Sequence, residues 1–106
     1  MSRLMRLMVF FDLPTTTVHD KKNYTAFRKY LLGDGYDMLQ YSVYCRIARN
    51  RDDAAKYIAR LKGRLPPEGQ VRALLVTEKQ YAQMMILLGK PTAMEEHLKD
   101  RELIVL

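Results

Sequence analysis

The pattern opens on an apolar run, residues 4 to 11, whose only polar position is Arg6. A half-exposed strand would alternate, so this run predicts a central strand covered on both faces and closed by Asp12 and Pro14. Thr17 with Asp20 three positions on predicts a helix start, the acid also favouring the positive end of the helix dipole. Tyr24, Phe27 and Leu31 then form an inward stripe at i, i+3, i+7, carrying the helix to about residue 32, where the GDG triplet at 33 to 35 stops it. Residues 38 to 47 alternate, with Leu39, Tyr41, Val43, Cys45 and Ile47 on one side and Met38, Gln40, Ser42, Tyr44 and Arg46 on the other, which predicts one strand. A second helix follows from about residue 51, with Asp52 and Asp53 in its first turn and Ala54, Ile58, Leu61 and Leu65 facing inward. PPEG at 66 to 69 breaks the chain before an apolar strand over 70 to 76. Two readings compete beyond it: Thr77 and Gln80 suit a capping box, whereas the apolar run 84 to 88, bounded by Gly89, suits a strand. We take a turn followed by a strand. A polar connection begins at GKPT, 89 to 92, and the sequence closes on a short apolar strand, ELIVL, at 102 to 106.

Strands alternating with two helices predict a two-layer α+β domain, its helices on one face of a small antiparallel or mixed sheet. The 106 residues form a single domain, 1–106, of which 89–106 is a C-terminal extension. Helices on one face leave the other uncovered, and a first strand apolar on both faces needs that second cover. A second copy packed sheet against sheet in a two-fold dimer provides it. With the first strand near the dimer axis, each Asp12 lies close to its symmetry mate, and paired carboxylates favour a shared hard cation such as magnesium.

Charge changes the picture further. The net charge is +6, and residues 1 to 64 hold thirteen Lys and Arg against six acids, whereas residues 65 to 106 hold five against six. Seven basic residues, Arg46, Arg49, Arg51, Lys56, Arg60, Lys62 and Arg64, lie within 19 positions opposed only by Asp52 and Asp53. This run reads either as a solvated helix face or as a footprint for a phosphate backbone. Tyr57 is its only aromatic, which favours backbone contacts to a duplex over base stacking. The single cysteine, Cys45, excludes an intrachain disulfide and a cysteine-built zinc site, and reads as a small buried hydrophobe. No apolar stretch reaches signal-peptide or membrane length, so a cytoplasmic protein with no membrane partner is expected.

Several pieces in this order carry a family resemblance: VFFDLP at 9 to 14, NYTAFRKYLL at 23 to 32, GYDMLQYSVYCR at 35 to 46 and LLVTEKQYAQMMILLG at 74 to 89. Together they resemble the small universal adaptation proteins of CRISPR systems, the Cas-two family, in their type II form. The resemblance implies a ferredoxin-like βαββαβ domain with an added C-terminal strand, a homodimer formed through the sheets, and a bridge between dimers of the CRISPR integrase. It implies double-stranded DNA as the bound partner during acquisition of new spacers in antiviral defence. It also implies a metal-dependent endonuclease activity toward single-stranded RNA or double-stranded DNA. Asp12 matches the family's metal-associated acid, catalytic and metal-binding, expected to share one Mg2+ with its dimer mate. On its residues alone, Asp12 also reads as a turn residue that ends a strand. The ferredoxin-like topology asks for two strands between the helices, so the stretch 38 to 47 either bends near Gln40 and Tyr41 or has been miscounted.

The remaining candidates are weak. His19 and His97 lack spaced partners for a zinc site, Ser42 lacks a base, and the glycines form no phosphate-binding loop. Met84 and Met85 read as core or interface filler. The expected sites are therefore Asp12 for metal, the basic set Arg46, Arg49, Arg51, Lys56, Arg60 and Arg64 for nucleic acid, and the terminal Leu103, Ile104, Val105 and Leu106 for docking a partner by strand addition. One acid per protomer is a thin catalytic set. Two functions follow: a dimeric adaptor that holds duplex DNA and docks the integrase, or a stand-alone metal-dependent endoribonuclease resembling small toxin ribonucleases of the same fold.

Overall fold

The computed structural model describes residues 4–95. Its elements are β1 (Met5–Asp12), α1 (Val18–Gly33), β2 (Asp37–Gln40), β3 (Val43–Ala48), α2 (Arg51–Lys62), β4 (Gln70–Thr77) and the short α3 (Glu78–Ala82). The sheet order is β2-β3-β1-β4 with every neighbouring pair antiparallel, which is the ferredoxin-like βαββαβ arrangement expected. No helix among the described residues is long and apolar enough to cross a membrane.

The helix starts follow local chemistry. Thr17 and Asp20 form a reciprocal capping box at α1, and the Asn50 side chain accepts from the Asp53 backbone N–H at α2. Leu7, Val9 and Phe11 of β1 pack under both helices with Phe27, Leu31, Tyr44 and Leu61. Phe11 meets Phe27 edge-on at 5.2 Å between ring centroids.

The structure corrects four readings. The alternation over 38 to 47 is a hairpin: Gln40 pairs with Val43, leaving Tyr41 and Ser42 as a two-residue turn. The turn alone would shift the pattern by one, since Gln40 and Val43 share a face, but the register irregularity at Leu39 shifts it back, so Met38 still faces Tyr44 and the alternation reads unbroken. Ser42 takes a positive φ of 63° and its carbonyl accepts from the Phe11 N–H at 3.1 Å. The turn has no Asn or Gly to announce it. The capping box at Thr77 and Gln80 starts α3, so that reading wins over a turn, and residues 84 to 88 pair with no strand among the described residues. Met84, Met85, Ile86, Leu87 and Leu88 are exposed rather than core. Finally, α2 ends at Lys62, leaving Leu65 beyond it and half exposed. The terminal strand expected at 102 to 106, with Leu103, Ile104, Val105, Leu106 and also His97, lies outside the described residues.

Among the described residues, the second face of the sheet is only partly covered. Met8 and Cys45 pack with Tyr81 of α3, and Phe10, Leu39, Val43 and Val76 flank them. Arg6, the one polar position in the first run, points into this face and is buried. Its guanidinium makes a two-pronged bond to Glu78, 2.7 Å from Nε and 2.8 Å from Nη2, and lies 4.2 Å from the centre of the Tyr81 ring. The Tyr81 hydroxyl donates to Glu95 at 2.7 Å, and Thr92 caps the turn that holds Glu95, which ties the chain after α3 back onto the sheet.

Removing one partner of a desolvated ion pair strands the other charge. Glu78→Ala should therefore destabilise the fold by about 3–5 kcal/mol, and pairing Glu78→Leu with Arg6→Met should recover most of that loss. Urea unfolding of the three proteins tests this: a loss below about 1 kcal/mol in the single variant would place the pair in the class of solvated surface bridges.

Candidate nucleic-acid and metal site

Asp12 ends β1 with its carboxylate exposed, on the same face as Met8 and Phe10. The backbone there is held from both sides. Phe11 bonds to the hairpin turn, and Asp12 pairs with Gln70 of β4. Gly69 makes that pairing possible: its φ is +99°, and a Cβ there would come within 2.5 Å of the Asp12 carbonyl oxygen and 2.8 Å of Leu13. The carboxylate opens onto a shallow depression that is also lined by Phe10, Ser42, Val43, Gln70 and Arg72. Ser42, Gln70 and Arg72 were not visible as site residues in the sequence, because only strand register brings them to Asp12.

No three His, Cys, Asp or Glu residues among those described gather where a metal ion could be held. His19 is exposed on α1. Burial pushes the Cys45 thiol up to about 11, so it stays protonated and unreactive at neutral pH, in keeping with a small core residue. One protomer thus offers a magnesium ion one carboxylate. Magnesium commonly binds through one or two carboxylates and keeps several waters, so a single exposed Asp12 supplies the minimum of that donor set.

The basic set divides once its partners are seen. Arg46 faces inward: its guanidinium lies 3.4 Å from the centre of the Tyr57 ring, bonds to the Asp34 carbonyl and approaches the Asp34 carboxylate at 3.7 Å. Arg60 binds the same carboxylate, 2.8 Å from Nη2, while remaining half exposed. Arg49 and Lys56 share Asp53, at 3.5 and 3.3 Å. Arg64 lies 5.4 Å from the centre of the Tyr30 ring. Arg51, Lys62 and Arg64 are exposed and in no ion pair among the described residues. Asp34, Tyr30 and Tyr36, distant in sequence, therefore join this patch through the fold. Asp12 does not: Arg49 and Arg51 follow Ala48, which pairs with Met5, so they lie at the other end of β1, roughly 23 Å away by strand rise.

Asp53 organises the start of α2. It is buried, and its carboxylate accepts from the Arg49 backbone N–H at 2.9 Å and the Tyr57 hydroxyl at 3.1 Å. The Arg49 backbone bond, reinforced by the Arg49, Lys56 and Tyr57 side chains, holds this carboxyl well below the usual carboxylate range. A depressed carboxylate contributes stability above its unfolded pKa, about 3.9, and loses it as pH falls toward the folded value. Asp53→Asn should therefore lower the melting temperature at pH 7, with the gap to the parent closing below about pH 4. Melts across that range test it, and a gap independent of pH would show that the carboxylate's charge is not what stabilises the helix start.

Comparison with known proteins follows the same lines. The sequence profile of the family described as CRISPR associated protein Cas2 matches residues 5–84. A protein from Acidovorax ebreus named CRISPR-associated endoribonuclease Cas2 is 50% identical over 99 residues, covering 93% of this chain and 97% of that protein. Proteins with the same name from Treponema denticola and Ligilactobacillus salivarius are 47% and 43% identical, covering 96% and 95% of this chain and 100% of each relative.

Proposed function

This chain belongs to the CRISPR-associated Cas2 family, and from that premise we propose that it acts in spacer acquisition as a two-fold homodimer. The dimer holds double-stranded DNA by its phosphates and docks the CRISPR integrase, with Asp12 of both protomers available to hold one Mg2+. The observation that carries this reading is the position of Asp12: an exposed carboxylate at the rim of a sheet face that, among the described residues, only the short α3 partly covers. A second copy laid on that face would bury Phe10, Val43 and Leu74, the last half exposed in the single chain, and bring two carboxylates toward one axis.

Of the expected nucleic-acid set, Arg51 and Arg64 are free of ion pairs among the described residues, and Lys62 joins them. Arg49, Lys56 and Arg60 keep exposed heads although each shares an acid, and Arg46 serves the interior. Three free cations per protomer give about six phosphate contacts per dimer, which predicts a slope of roughly −5 for log affinity against log salt. Recognition of this kind reads the backbone and is independent of sequence.

A second reading, metal-dependent endoribonuclease, has its support in the names of the relatives, each called a CRISPR-associated endoribonuclease. Bound magnesium would neutralise phosphate charge and lower the pKa of a coordinated water. This chain's part is to present Asp12 as a ligand from a strand end fixed by Gly69 and the hairpin turn. With one carboxylate per protomer, holding nucleic acid is the primary task and cleavage secondary. Asp12→Asn in cells whose only copy carries the change decides between them. Acquisition should persist in that strain and vanish on deletion of the protein. Loss of acquisition in a variant that still dimerises and binds duplex DNA would overturn the adaptor reading in favour of a required metal site.

A further inference from the structure

The cations expected to grip nucleic acid belong to α2 and its approach, and Arg49 and Arg51 lie at the far end of β1 from Asp12. None of these accounts for a phosphate beside the Asp12 carboxylate, which on its own repels one. β4 supplies a cation that does. Arg72 pairs across from Phe10 and Gln70 pairs across from Asp12, so Arg72, Phe10 and Asp12 share one face, with Arg72 on the diagonal to Asp12. Such diagonal neighbours are about 7–8 Å apart, a separation that an arginine side chain and a phosphate together span.

Three further observations bear on what Arg72 does. Among the described strand residues of this face, the only cations are Arg6 and Arg72, and Arg6 is buried and bound to Glu78. Arg72 is exposed and its side chain has no ion pair, hydrogen bond or ring contact among the described residues, although it lines the same depression as Asp12, Ser42 and Gln70. Its backbone is also well fixed, since β1 and β4 stay in register over eight consecutive pairs from Met5 with Thr77 to Asp12 with Gln70. A forked cation on a rigid strand, next to a carboxylate it does not neutralise, matches a ligand that carries its own anionic oxygens.

We propose that Arg72 is the phosphate-binding residue of the Asp12 site, taking a phosphodiester oxygen of nucleic acid laid across the end of β1 and β4. The inference rests on the reading of Asp12 as a nucleic-acid site and names the group that holds the backbone there. Ser42 and Gln70 add neutral donors at the same place. Arg72 is thus a binding residue distinct from the α2 patch, and it engages nucleic acid whether or not metal is bound.

The test measures binding by the full-length protein in EDTA, using fluorescein-labelled single-stranded RNA and duplex DNA of one sequence, with light scattering to follow the dimer. Arg72→Gln should weaken binding of the preferred strand type at least about tenfold, and Arg72→Lys, which keeps the charge but not the fork, should recover part of it. The strand type that responds identifies the source of the phosphate. Unchanged affinity in Arg72→Gln, with wild type binding normally, would reduce Arg72 to a charge that guards an edge strand and leave the Asp12 reading standing. Failure of the wild type to bind either nucleic acid would overturn that reading as well. Loss of the dimer in both Arg72→Gln and Asp12→Asn would assign Arg72 to an ion pair between copies and overturn the proposal.

Discussion

The fold depends on one constraint: β1 is paired along both edges and apolar on both faces, so every other element is placed by the need to cover it. Antiparallel β3 and β4 take the edges, and α1 and α2 take one face through Leu7, Val9 and Phe11. Among the described residues the other face receives only the short α3 and the chain that returns to Glu95. Arg6 shows how tight the constraint is. A charge near the start of the central strand persists only because Glu78 meets both prongs of its guanidinium and Tyr81 lies against it. Asp12 is exposed for the complementary reason, as the rung where this cover runs out.

Electrostatics follow the packing. The basic half of the chain would be a large self-repelling surface if its charges stood alone, yet two acids absorb much of it. Asp34 lies between Arg46 and Arg60, and Asp53 lies among Arg49, Lys56 and the Tyr57 hydroxyl. Tyrosine rings from α1, α2 and the loop after α1 take the faces of Arg46, Arg60 and Arg64. The result fixes α2 against the end of α1 and leaves Arg51, Lys62 and Arg64 as the freest cations of the patch. Counting positive residues along the sequence overstates the footprint, because Asp34 reaches Arg60 across 26 positions that no local window contains.

What was legible in the sequence was whatever local chemistry determines. Thr17 with Asp20, and Thr77 with Gln80, announce helix starts by side-chain bonds three residues long, and the apolar stripes on α1 and α2 locate the core. What was not legible depends on pairing. The hairpin at Tyr41 and Ser42 hides because the register irregularity at Leu39 offsets the two-residue turn and keeps the alternation in phase, and because Ser42 adopts its left-handed conformation without being a glycine. Residues 84 to 88 look like a strand because they are apolar and bounded by glycine, but a strand needs an edge, and among the described residues none is offered to them. Asp12 was legible as a candidate by family likeness, whereas its neighbours Ser42, Gln70 and Arg72 follow from register alone.

The surface left over makes one connected case. Leu74 on the uncovered face and Met85, Leu87 and Leu88 beyond α3 are all at least half exposed, more large apolar surface than so small a protomer has reason to present to water. Leu74 stands on β4 two residues from Arg72, and Arg72 stands on the diagonal to Asp12. Covering the sheet and completing a site around Asp12 are therefore demands on the same strand faces. In the proposed dimer a second copy would meet both at once, since a contact that removed Phe10 and Val43 from water would also set how far apart two Asp12 carboxylates lie. A metal ion between those carboxylates, and a phosphate held at Arg72, would then report on the spacing of the two sheets, and nucleic-acid binding at this rim would be linked to dimer geometry by the packing of β1 itself.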